Sequence, residues 1–207
     1  MQGRLVTFEG LDGCGKSTQI RLLAAKLSSA GIPFLETREP GVTMIGEEIR
    51  RLVLSCDYGK INTNTELLLF FANRAQHYAE VLKPSLARGK IVICDRFIDT
   101  TIAYQGYARE IDFAIIEYLH KLTTDNLMPD LTFFLDLPPD KCLIRRQEQD
   151  RIEREKIEFL NSVYTGFLLE AKHHPNRIKR VNADRDIKEI EREIWTEIQK
   201  FLGISRG

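Results

Sequence analysis

Several things are scarce in this chain of 207 residues, and each scarcity excludes something. It has four cysteines, at 14, 56, 94 and 142, with no Cys-x-x-Cys pair among them, so neither a disulfide framework nor a thiolate zinc site is indicated. They read as reduced thiols in a reducing, cytoplasmic setting, with Cys14 accessible to thiol reagents. No apolar run reaches membrane-spanning length, and Met1-Gln2-Gly3-Arg4 leads directly into a strand-like segment without a leader's apolar stretch. The expectation is no membrane association. Thirty basic and thirty acidic residues cancel, which gives no reason to expect a polyanion-binding surface or a nucleic-acid partner. Repeats, low-complexity tracts and Pro/Gly/Ser linkers are absent, so the whole of 1–207 reads as one domain.

What is present is a regular alternation. Near-continuous apolar runs at Leu5 to Phe8, Pro33 to Thr37, Ile91 to Cys94, Leu131 to Leu135 and Ile178 to Val181 have the character of buried parallel strands. Between them, Thr18 to Ala30, Gly46 to Ser55, Asn64 to Arg88, Phe113 to Thr124, Arg154 to His173 and Ile187 to Leu202 carry apolar residues at helical steps. This βα alternation predicts an α/β, doubly wound, five-stranded parallel sheet flanked by helices, with ligands at the carboxyl ends of the strands. The segment Gln147 to Lys156 holds seven charged side chains in ten positions, the pattern of a solvated helix face or of a flap over phosphates.

The first strand runs into Gly10-Leu11-Asp12-Gly13-Cys14-Gly15-Lys16-Ser17, with Thr18 opening a helix. Glycines there let backbone N–H groups turn inward around phosphates, Lys16 reaches the β- and γ-phosphates, and the Ser17 hydroxyl ligates magnesium at a helix N-terminus. A nucleoside triphosphate is the implied ligand. Asp95, at the end of the third strand, suits the magnesium shell, and the adjacent Arg96 suits a second anionic group. Thr37-Arg38-Glu39-Pro40-Gly41 sets another guanidinium, Arg38, at the same sheet edge. Phe70 and Arg74, four apart on a helix, can project toward one ligand, the ring stacking on a base and the guanidinium donating to its carbonyl; Phe71 reads as a core ring.

These residues, in this order, resemble the bacterial thymidylate kinases, a branch of the P-loop nucleoside monophosphate kinases. The resemblance rests on the Gly10 to Ser17 loop, Thr37 to Gly41, Phe70-x-x-Asn73-Arg74-Ala75-Gln76, Asp95-Arg96-Phe97, Ala103-Tyr104-Gln105-Gly106 and Asp150-Arg151-Ile152-Glu153. It implies a three-layer P-loop NTPase fold with a short lid at about 140–154, ATP-dependent phosphorylation of dTMP to dTDP, Mg2+ and a homodimer. It also implies that Thr101 and Gln105 lie near the base and Tyr104 under the sugar, and that Asp150 and Glu153 lie near the acceptor and the magnesium waters. Some members place an arginine inside the phosphate loop and others supply it from the lid. Gly13 holds the loop position here, which leaves Arg145, Arg146 or Arg151 to reach the transferring group. Two departures bear on loop flexibility: Val42 stands where the family has a second glycine, and Tyr107-Ala108-Arg109-Glu110 replaces a glycine-rich turn.

The chemistry is consistent with this set. An acceptor phosphate is already anionic near neutral pH, so no histidine base is needed, and none of the four histidines falls among the phosphate-binding motifs. Lys16, Arg38, Arg96 and the flap arginines counter repulsion between two anions, while Asp12 orients the acceptor's sugar or phosphate side. Kinases for dUMP, dCMP or a deoxynucleoside share the donor half of such a site. A guanine-nucleotide switch would carry an Asn-Lys-x-Asp base reader, which this sequence does not contain.

Overall fold

The computed structural model describes residues 3–145, 151–152 and 155–204. Arg146, Asp150 and Glu153, three of the candidate site residues, lie outside the described residues. Five strands, β1 (Arg4–Glu9), β2 (Phe34–Arg38), β3 (Ile91–Asp95), β4 (Leu131–Asp136) and β5 (Ile178–Asn182), form one parallel sheet in the order β2-β3-β1-β4-β5. The expected α/β architecture, with a five-stranded parallel sheet between helices, is the one observed.

The two sheet faces differ in chemistry. Register pairs Val6 with Ile93 and Leu131, and Phe8 with Phe133, so these apolar residues share one face. That face packs on α1 (Lys16–Ser29) and α9 (Ile187–Leu202) through Leu23, Leu27, Ile190 and Ile194. Leu5, Val92 and Cys94 point the other way, against Leu67 and Phe71 of α3 (Thr63–His77) and Ile116 of α6 (Phe113–Thr124). Phe134 stacks at 5.2 Å on Phe167 of α8 (Ile157–His173) on that same side. Thr7 and Thr132 also face it, fully buried, and satisfy each other at 2.8 Å. Without that bond the buried Thr7 hydroxyl would carry a desolvation cost, whereas Thr132 also bonds Asp99 and Arg177.

Local capping explains where the helices begin. Thr43 Oγ1 accepts from the Gly46 N–H and opens α2 (Met44–Leu54), Asn62 opens α3, Asp112 opens α6 and Asp186 opens α9. Gly203, in the left-handed region at φ 66°, closes α9.

Two helical features depart from the sequence pattern. The long helix expected over Asn64 to Arg88 is interrupted by a π-helical turn at Tyr78–Leu82 before α4 (Lys83–Ala87), where Pro84 supplies no N–H. A helix also follows β3: α5 (Ile98–Thr101) continues into a π-helical segment, Ile102–Ala108. Its β-branched residues, Ile98, Thr100, Thr101 and Ile102, have weak helix propensity, so packing rather than propensity holds it. A Cβ on Gly106 would meet Phe113 at 2.6 Å, so the glycine is what lets this segment lie against α6. Of the segment expected as a lid, at about 140–154, the described residues are those of α7 (Pro139–Arg145) together with Arg151 and Ile152.

Candidate active site

The loop after β1 turns through glycines with positive φ. At Gly10, φ 132°, an added Cβ would come within 2.8 Å of the Leu135 carbonyl oxygen. Gly15, φ 103°, caps α1 and has open space on its Cβ side. With no acidic residue in the first turn of α1, the positive end of the helix dipole is left for an anion. Lys16 is buried at 6 % exposure and donates to the carbonyls of Gly10 and Leu11 at 3.1 Å each.

Cys14 does not fit the expectation of a reactive loop thiol. Its side chain is buried and burial pushes its pKa up, so thiolate is scarce where reagents do not reach. All four cysteines are free, and only Cys56 is exposed.

From this loop a cleft passes Ser17, Thr18, Arg38, Asp95 and Arg96. It adjoins a second pocket, which Phe70, Arg74, Thr101, Tyr104 and Gln105 line. Asp12, Glu39, Arg50 and Arg96 border both. At that junction Arg96 donates to Asp12 Oδ1 at 2.6 Å, and its guanidinium lies over the Tyr104 ring. Arg96 takes φ 71°, in the left-handed region, and the turn is tied down on both sides. Its N–H bonds the Phe8 carbonyl, while the Phe97 N–H donates to Glu9 at 2.8 Å.

Arg38 is half exposed and donates to Glu47 Oε1 at 2.8 Å, on the rim of the phosphate cleft. The same oxygen accepts from the N–H of Val42, which sits at φ 75° in the turn following the cis Glu39–Pro40 peptide. Sequence reasoning missed Arg50, which α2 directs at the Pro40 carbonyl, 3.0 Å away. Its signal is an arginine one residue after buried Ile49 and four before Leu54, which lines the same pocket.

Arg74 is buried at 2 % exposure but not uncompensated. Nε donates to Glu39 at 2.8 Å, Nη2 donates to the Phe97 carbonyl and to Thr101, and the guanidinium lies between the rings of Phe71 and Phe97. Nη1 is buried without a hydrogen-bond partner. Glu39 is held from its other side by His77, which also bonds Thr37. Burial alone would raise the Glu39 carboxyl, but Arg74 and His77 hold it below the ordinary carboxylate value. His77 is therefore a structural partner of that carboxylate. His120 is buried with its pKa lowered to about 4, and His173 and His174 sit on Glu170.

The remaining arginines go to different places. Arg145 lies beside the Ala183 carbonyl and Asp184, and lines a pocket with Gly13, Cys14, Gly15 and Arg185 on the donor side of the loop. Arg151 is brought not to the phosphate loop but to buried Glu66, at 2.6 Å, with Nε on the Val53 carbonyl. Gln105 donates to that same Glu66, at 2.9 Å.

Among the described residues no cluster of three or more His, Cys, Asp or Glu could hold a metal by itself. Asp95 Oδ1, however, is buried without a partner beside Ser17 in the phosphate cleft. One carboxylate and one hydroxyl suit Mg2+, which keeps most of its shell as water and substrate phosphate.

Comparison with known proteins agrees with this geometry. Residues 8–194 match the family model described as thymidylate kinase. The chain is 43 % identical over 210 residues to a thymidylate kinase of Pseudomonas fluorescens, covering 100 % of both chains. It is 42 % identical over 211 residues to one from Syntrophotalea carbinolica, covering 98 % of each. A crystal structure of thymidylate kinase from Ehrlichia chaffeensis superposes with a TM-score of 0.79 at 38 % identity, over 96 % of this chain and 99 % of that one. A phosphate loop opening into a second, arginine-lined pocket, on a chain matched from end to end, thus belongs to the thymidylate kinase family.

Proposed function

We propose that this chain transfers the γ-phosphoryl group of ATP to dTMP, giving ADP and dTDP, as a step in dTTP supply. The observation that carries the reading is the shared border of the two clefts, where Arg50 and Arg96 face both a phosphate loop and a pocket lined by Phe70 and Arg74. Two anions must meet for transfer, and cations fixed where they meet lower the repulsion without reorganising. The acceptor oxygen attacks in line, so positioning takes the place of a base.

On this reading Gly10 to Thr18 cradle the donor phosphates, with Lys16 leaving its loop carbonyls for the β- and γ-oxygens. Asp12 and Arg96 act together at the acceptor's phosphate and sugar side. Phe70 stacks on the base, Arg74 Nη1 donates to it, and Arg38 supplies charge at the rim. Ser17 and Asp95 would hold Mg2+, which neutralises charge on the phosphate oxygens. Arg145 approaches the donor, whereas Arg151 anchors the returning chain to Glu66.

The proposed assembly is a homodimer. Leu68 on α3 and Ile115 and Tyr118 on α6 are about half exposed or more and lie together on one apolar surface, suited to a second copy of this chain. Sedimentation as a monomer at micromolar concentration would contradict this. No helix among the described residues is long and apolar enough to cross a membrane. A cytoplasmic location is supported by the four free thiols.

The deciding experiment is coupled ADP release from ATP with a panel of nucleoside monophosphates. The greatest kcat/KM is expected with dTMP. An enzyme that binds ATP yet shows no saturable affinity for dTMP overturns the proposal.

A further inference from the structure

Glu66 is a carboxylate inside the first turn of α3, with its side chain 2 % exposed, and it does not line the acceptor pocket. Its two oxygens are used differently. Oε2 accepts from Arg151 at 2.6 Å, while Oε1 accepts from Gln105 Nε2 at 2.9 Å, with Arg109 at 3.5 Å. Burial alone would raise its pKa, but Arg151, Arg109 and Gln105 together hold it below the ordinary value, so it stays ionised near neutral pH.

An ionised carboxylate offers lone pairs and no proton. The Gln105 amide beside it therefore has one allowed orientation, because a flip would press carbonyl oxygen against carboxylate oxygen in a buried site. With Nε2 committed to Glu66, the carbonyl end of Gln105 is left for the pocket it lines. Among the described residues lining that pocket, Arg74 Nη1 is the one buried side-chain polar atom without a hydrogen-bond partner, and it is a donor.

We propose that Glu66 is a specificity-positioning residue: by fixing the Gln105 amide it makes the acceptor pocket present one hydrogen-bond acceptor beside the Arg74 donor. That pair complements a pyrimidine with a C4 carbonyl next to N3–H. A pyrimidine with a C4 amine next to an unprotonated N3 has both polarities reversed, and it would leave buried groups facing like groups. The proposal rests on reading this pocket as the acceptor site, and it assigns the choice of base to a residue the base does not touch.

The test compares dUMP with dCMP as acceptors for the full-length enzyme with ATP, because these two differ only at C4 and N3. In Glu66→Gln the neighbour of Gln105 becomes an amide that can donate or accept, which frees Gln105 to flip. The dUMP to dCMP ratio of kcat/KM is expected to fall roughly tenfold to a hundredfold. A ratio kept within about threefold of wild type, even with a lowered melting temperature, overturns the proposal, because a purely structural carboxylate moves stability and not selectivity.

Should Glu66→Gln not fold, Gln105→Met removes the acceptor at nearly constant volume. The same fall is expected, and an unchanged ratio again overturns it. Arg74→Gln separates the two levels: an unaltered KM for dTMP there would mean that the pocket itself has been misread, whatever the Glu66 variants do.

Discussion

Replacing Arg177 by glutamine isolates the ion pair that secures the helix after β3. Arg177 precedes β5 and donates to both oxygens of Asp99, at 2.6 and 2.7 Å, with Asp99 1 % and Arg177 15 % exposed. Asp99 keeps one further contact, accepting from Thr132 at 3.2 Å, and it lies near a second buried carboxylate, Glu9. Removing the guanidinium strands a buried charge next to another acid, for which the expected loss is about 3–5 kcal/mol. For a chain of this length that lowers the melting temperature by roughly 6–20 °C. Asp99→Asn with Arg177→Gln removes both charges and leaves two amides able to bond each other and Thr132. The double variant should recover most of the loss, to within about 2 kcal/mol of wild type. Urea denaturation of the four proteins in the cycle measures each term. A single variant within about 1 kcal/mol of wild type, or a double variant no more stable than the single, refutes the reasoning.

Three other outcomes follow from particular residues. Val42, a β-branched residue at φ 75°, is strained by about 1–2 kcal/mol. Val42→Gly should gain on the order of 0.5–1 kcal/mol after the entropy cost of glycine, and a lower urea midpoint would contradict it. Glu9 has its carboxyl pushed up from 4.5 to about 8, first by burial and then by Asp99. A raised folded-state pKa means that its contribution to stability is full below about pH 4.5 and is lost as pH climbs through 8. Glu9→Gln should therefore gain on wild type between pH 6 and pH 8.5 in thermal melts, and a constant difference rules the account out. Arg145→Ala should raise KM for ATP or lower kcat roughly tenfold while leaving KM for dTMP unchanged; steady-state kinetics with both substrates varied would show otherwise.

The residues proposed to meet a ligand are legible because their chemistry is local. The phosphate loop compresses glycines, a lysine and a hydroxyl into a few positions, and Phe70 and Arg74 share a helix face by spacing alone. Residues that hold those residues in place were not legible. Glu39 reaches Arg74 across 35 positions, Asp99 reaches Arg177 across 78 and Glu66 reaches Arg151 across 85. In a linear sequence none of these partners can be read, and only the fold shows each carboxylate to be buried and paired. One trace was available: Glu66 precedes Leu67 and lies five residues before Phe71, so a helix burying those two apolar residues carries the carboxylate inward with it.

The strand ends explain why apolar patterning stops just short of function. Read from hydrophobicity, each strand finishes at its last apolar or small residue, yet in the structure all five run one residue further, to Glu9, Arg38, Asp95, Asp136 and Asn182. In the three central strands of a parallel sheet covered on both faces, charged side chains are placed most readily at the ends, where the strands open into loops. Glu9 braces Phe97 and Thr100 there, Arg38 rims the phosphate cleft and Asp95 leaves an oxygen free within it. Asp136 takes Tyr164 and Arg180, farther along the same edge. The ladder continues through these residues because backbone hydrogen bonds are indifferent to side-chain polarity, so at Arg38 and Asp95 the last rung of the strand also borders the phosphate cleft. Bonds at that rung, from Arg96 N–H to the Phe8 carbonyl and from Phe97 N–H to Glu9, hold Arg96 in its left-handed conformation one residue past β3, with its guanidinium on Asp12.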